Sequence, residues 1–167
     1  MVSAISDSSQ PLSAAIIALQ SIYGAPSQAG FGSAVFTDAI KPGADLETIA
    51  RHYYQHFVGH MWEEYGESAW MSPWKQVYSR PDEVQPDVVA ELKAIVDPLA
   101  SHFMPIMLLA ETDDKDRAQQ SLANVFNDPL ITELKVFSIG DGAAMSGLLL
   151  AGSSATGVTT ILVSLLD

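Results

Sequence analysis

The chain has 167 residues, of which 48% are hydrophobic and 17% charged, enough apolar material for a real core and too little charge density for wholesale disorder. Its 20 acidic and 8 basic residues leave a net charge of -12, so neither nucleic acid nor an anionic membrane surface is an expected partner. Cysteine is absent, which removes disulfides, thiolate metal sites and thiol catalysis.

The start, MVSAISDSSQPL, lacks the basic opening and apolar stretch of a secretory signal. Asn124 and Asn127 begin no glycosylation acceptor. The expected location is therefore the cytoplasm. Residues 1–10 are Ser-rich and expected to fray, leaving 11–167 as a single domain.

Pro11 suits a first helical position, and Leu12, Ala15, Ile16, Leu19, Ile22 and Tyr23 follow at helical spacing, with Gly24 and Pro26 as the stop. Ala34 to Thr37 fits a short strand. Asp45 is placed to cap a long helix running to Tyr65, with Gly59 inside it and Gly66 past its end. Ser68 to Arg80, with Trp70 and Trp74, reads as a connection pinned by aromatics. Pro86 opens a helix carrying Val88, Val89, Leu92, Ile95 and Val96. Phe103 to Ala110 has the apolar character of a buried strand, starting at Ile106 because Pro105 has no ladder donor. An acidic turn then introduces a helix over Ala118 to Phe126.

Three strands complete the chain: Glu133 to Ile139, Ser146 to Ala151 and Val158 to Leu166. Gly142 to Leu166 has no charged residue and the length to span a bilayer, but the small, polar run Gly152 to Gly157 interrupts it and β-branched residues follow. A buried hairpin fits better. Helices in the first two-thirds and strands in the last third indicate an α+β fold with a C-terminal antiparallel meander. Charge is segregated too: Asp45 to Arg117 holds 14 acidic against 6 basic residues. The uncharged sheet must be covered on both faces or offer one to a partner, a second copy of the chain included.

No catalytic motif is present. Phe137 to Gly142 fails as a dinucleotide loop, since Met145 stands where the third glycine belongs and no lysine follows. Ala144 to Leu148 and Gly152 to Thr156 are near misses to a serine-nucleophile elbow. Glu111 to Asp116 lacks the spacing of a calcium loop. Trp62, Trp70 and Trp74, with Tyr65 and Tyr78, form an aromatic-rich segment that suits core packing better than a binding groove.

One pattern stands out. His52, His56 and His60 recur every four residues, and Glu63 follows close to the same stripe. Neutral imidazoles so spaced can ligate a transition metal or haem, and a carboxylate can complete the set. No glutamate lies between the histidines as in a zinc-protease motif, and three ligands on one straight helix cannot all surround one ion, His52 and His60 being about 12 Å apart along the axis. A site therefore needs one pair plus Glu63, His102 or another element. His56, His60 and Glu63 form the more compact set, with His52 outside it.

Two functional readings follow. The first is a small acidic, non-catalytic protein working by contact with a basic protein, as an inhibitor, immunity-type or adaptor module, and needing no cofactor. The second is a metal- or haem-binding protein or enzyme built on the histidine stripe.

Overall fold

The computed structural model describes residues 14–24, 32–39, 45–71, 74–81, 85–104, 115–128, 130–140, 146–154 and 157–165. In chain order the elements are α1 (Ala14–Tyr23), β1 (Gly32–Ala39), α2 (Leu46–Val58), α3 (Met61–Tyr65), α4 (Glu67–Met71), β2 (Trp74–Ser79), α5 (Val88–Lys93), α6 (Pro98–Met104), α7 (Lys115–Phe126), β3 (Ile131–Ile139), β4 (Gly147–Ser154) and β5 (Val158–Leu165). The fold is α+β. The strands β3, β4 and β5 form the expected antiparallel meander, and β1 and β2 extend it into a five-stranded sheet of order β1-β5-β4-β3-β2.

Alternate side chains of each strand feed two separate cores. Leu134, Val136, Leu148, Leu150 and Leu162 meet α1, α5, α6 and α7 on one face. Phe137, Ile139, Leu149, Ala151, Ile161 and Val163 meet α2, Trp62 and Trp70 on the other. Burial on both faces explains why β4 and β5 read as continuous apolar runs with no polar alternation. No helix among the described residues is long and apolar enough to cross a membrane.

The outer edge of β1 is closed at its middle by the end of α1. The Val35 N–H donates to the Gly24 carbonyl at 2.9 Å, and Gln20 Nε2 donates to the Val35 carbonyl at 3.2 Å. Satisfying these groups internally removes them as a template for another strand.

Two expectations need correction. The connection expected over Ser68 to Arg80 contains α4 and β2, an edge strand paired with β3. Its pattern is blurred by exposed Lys75 and Gln76 and by a register shift between Gln76 and Tyr78. The strand expected from Ile106 to Ala110 lies outside the described residues, which resume at Lys115 after α6. The long helix from Asp45 does not reach Tyr65, because α2 ends at Val58.

Gly147 sits at the head of β4 opposite Leu165, where the strands leave no room for a side chain. A β-carbon there would overlap the Ser164 carbonyl oxygen, with Leu165 Cα 2.9 Å away. Both neighbours are backbone and cannot swing aside. Gly147→Ala is expected to cost about 3 kcal/mol, the upper end of ordinary overpacking. Urea unfolding checks this; a variant as stable as the parent would show that β5 yields without loss.

Candidate functional site

The α2 side of the sheet carries the residues singled out in the sequence. Asp45 starts α2 as expected: its carboxylate accepts from the Thr48 N–H at 3.1 Å and from the Thr48 hydroxyl at 2.7 Å. These bonds hold the exposed Asp45 carboxyl below its ordinary value. Glu47, in the first turn of the helix, accepts from Trp74 Nε1 at 2.9 Å and so ties α2 to β2.

The helix stops at Gly59. Its φ of 72° and ψ of -142° lie outside the helical region, and its N–H closes the last turn on the Gln55 carbonyl at 3.0 Å. A side chain is disfavoured in this conformation, so glycine here acts as a terminator. His60 then opens α3, where the Glu64 N–H reaches the His60 carbonyl at 3.3 Å. The break divides the stripe. His52 and His56 remain one turn apart on a regular helix, whereas His60 and Glu63 belong to α3.

All four still line one open cavity of about 380 Å³, with Gln55, Gly59 and Trp62 completing the wall. All four are exposed. His56 is set edge-on to Phe36, with ring centroids 5.6 Å apart, and His52 makes a similar contact with Tyr53 at 5.1 Å. Tyr53 in turn donates to the Asp38 carboxylate on β1. Its phenol is pushed far up by burial and by this acceptor, so it stays a donor. His102 is not brought to the cavity: it is exposed on α6, whose Phe103 packs into the core on the opposite face of the sheet. Among the described residues, no group of three or more His, Asp or Glu is arranged to hold a metal ion.

The tryptophans fasten α3 and α4 to this framework. Trp62 packs edge-on against Tyr54 at 5.4 Å, and Trp70 Nε1 donates to the Met61 carbonyl at 3.0 Å. The Tyr54 hydroxyl, its phenol raised by burial, donates to the Trp70 carbonyl at 2.8 Å. Trp74 stacks between Tyr54 and Phe137 at 5.5 and 4.8 Å. Trp62 and Trp70 are buried, which makes them supports for the surface above them.

That surface is acidic. Glu63, Glu64 and Glu67 are exposed on α3 and α4. Tyr65 stands among them, 64% exposed, with its ring 6.3 Å from Trp70. Asp82 and Glu83, part of the same acidic stretch of sequence, lie outside the described residues. Tyr65 was not singled out in the sequence, where it read only as one member of an aromatic segment.

The near-miss motifs gain no site character. Ser146 is buried, and a β-carbon on Gly140, whose φ is 85°, would overlap its hydroxyl. Residues 111–114 and 141–145 lie outside the described residues. Comparison with protein-family models, with curated proteins and with solved structures finds no match.

Proposed function

We propose that this is a non-catalytic module, of the inhibitor, immunity-type or adaptor kind, that docks a basic protein through α3 and α4. The observation that carries the reading is Tyr65, a large side chain left 64% exposed among three exposed glutamates on a rigid aromatic base. Tyrosine combines a broad apolar face with a polar tip, and interface energy concentrates in such residues when they are held rigidly. The surrounding carboxylates would steer a cationic partner and lose that influence as salt screens them.

The test is affinity capture with the full chain from a lysate of its own cell, followed by binding kinetics on the partner recovered. Tyr65→Ala is expected to weaken binding about tenfold or more, chiefly by faster dissociation. Reversing Glu63, Glu64 and Glu67 to Lys is expected to slow association by about tenfold at low salt, with less effect on dissociation. Captured partners that are acidic, or whose binding ignores both salt and these substitutions, would refute the proposal.

A further inference from the structure

We propose that His52 and His56 form a binding site for a divalent transition metal, Cu(II) foremost, on the exposed side of α2. It does not rest on the docking reading, with which it shares only Glu63 at the rim of the cavity. The argument begins with the break at Gly59, which leaves only one pair of histidines a full turn apart on a regular helix. One turn separates them by about 6 Å along the axis, and side chains at i and i+4 lie one above the other on the same face. Two imidazoles in that relation can close on one ion, with water filling the remaining positions.

Three further features favour this pair. Both rings are exposed, so binding requires no opening of the fold. His56 packs edge-on against Phe36 and His52 against Tyr53, contacts that narrow the orientations each ring samples. Gly59 lines the same open cavity of about 380 Å³, which leaves space for the ion's water. The net charge of -12 also raises the local concentration of cations around the protein. Imidazole nitrogen suits copper, nickel and zinc, and for a given nitrogen set copper binds most strongly. His60 and Glu63 line the same cavity from α3 and act as outer donors through water.

The proposed site thus centres on His52/His56, where sequence spacing favoured His56/His60, and its two members are equal. The experiment is calorimetric titration of the tag-free full chain with Cu(II), Ni(II) and Zn(II), with Cu(II) electron paramagnetic resonance as a second readout. One ion per chain is expected, tightest for Cu(II), with a spectrum showing two equivalent nitrogen donors. His52→Ala and His56→Ala should each weaken binding by at least about tenfold and abolish the two-nitrogen spectrum. His60→Ala and Glu63→Gln should change affinity by no more than about threefold, and His102→Ala should leave it unchanged. Circular dichroism of each variant shows that the fold is intact. Absence of stoichiometric binding, or a His52→Ala variant that binds like the parent, would overturn the proposal; so would equal losses from His60→Ala and His56→Ala, which would place the ion across the Gly59 turn.

Discussion

A chain cut before Val158 is expected to lose its cooperative fold and fall out of solution. The deletion removes β5, which lies between β4 and β1 in the sheet. Among the described strands β1 pairs with no other, so its edge to the rest of the sheet disappears as well. On one face Ile161, Val163 and Leu165 are withdrawn from the core beneath α2, and on the other Leu162 is withdrawn from beneath α1 and α7. Each such side chain contributes about 1.5–3 kcal/mol by burial, so four of them approach the whole stability of an ordinary domain. The newly bared β4 would present buried Leu148, Leu149 and Leu150 beside an unpaired backbone edge, a template for aggregation. Solubility and a thermal melt of the truncated chain check this. A soluble product with a cooperative transition would mean that β5 is dispensable and the sheet order wrong. A milder companion is Leu162→Ala, expected to cost about 3 kcal/mol in urea unfolding.

Arg80→Met is expected to destabilise the protein by about 3–5 kcal/mol, the usual result of stripping one partner from a buried ion pair. Arg80 and Glu91 have side-chain exposures of only 4% and 8%. The guanidinium grips both oxygens of Glu91, Nη2 to Oε2 at 2.7 Å and Nε to Oε1 at 2.8 Å, and Nη1 also donates to the Phe126 carbonyl at 3.0 Å. Tyr78 donates to the same carboxylate at 2.6 Å, and the Asp87 N–H does so at 3.2 Å. The buried carboxylate thereby joins β2 to the start of α5, and the Arg80 guanidinium adds the end of α7. Without Arg80 it would keep its charge in an apolar setting or take up a proton. Arg80→Met combined with Glu91→Leu should recover much of the loss, since no buried charge then lacks its partner.

The same cluster sets an acid limit. Burial pushes the Glu91 carboxyl up, but the hydrogen bonds from Arg80 and Tyr78 and the nearby positive charge together hold it below its ordinary value. Tyr78 moves the other way, up to about 12, through burial and the adjacent carboxylate. A carboxyl whose folded value lies below its unfolded one contributes fully above the ordinary glutamate range near pH 4.3, and that contribution is lost as pH falls through the folded value. Urea midpoints measured from pH 7 down to 3 should therefore fall more steeply for the parent than for the double variant. A penalty below about 1 kcal/mol for Arg80→Met would contradict the whole account.

The local signals that survived folding were those whose cause is itself local. Asp45 was legible as a cap because its bonds reach only to Thr48. The β4 and β5 runs were legible because burial on two faces leaves few charged or exposed positions in them. Gly59 was misread: helical spacing resumes at Met61 and Trp62 after the break, so the glycine looked like a tolerated interior residue when it is the stop. The strand β2 was hidden by its edge position and shifted register, which remove the alternation a strand normally prints on its sequence. Arg80 and Glu91 carried no signal, because nothing in a sequence distinguishes a buried arginine from a surface one until its partner is placed. The exposure of Tyr65 depends likewise on how α3 and α4 lie against Trp70.

The pairing of β1 with β5 bears on how the protein reaches this state. Gly32 lies opposite Leu165 and Ala39 opposite Val158, so a very long stretch of chain must be looped before these strands reward each other. Loop entropy of that kind is lost before any ladder hydrogen bond is gained, and proteins dominated by distant contacts fold slowly, in milliseconds to seconds. The meander of β3, β4 and β5, whose neighbours are close in sequence, is expected to form first and β1 to arrive last. Until it does, the outer edge of β5 stays open along a strand whose residues are almost all buried in the finished fold. The interval before β1 docks is thus the period in which self-association competes with folding, and dilution or low temperature should raise the refolding yield.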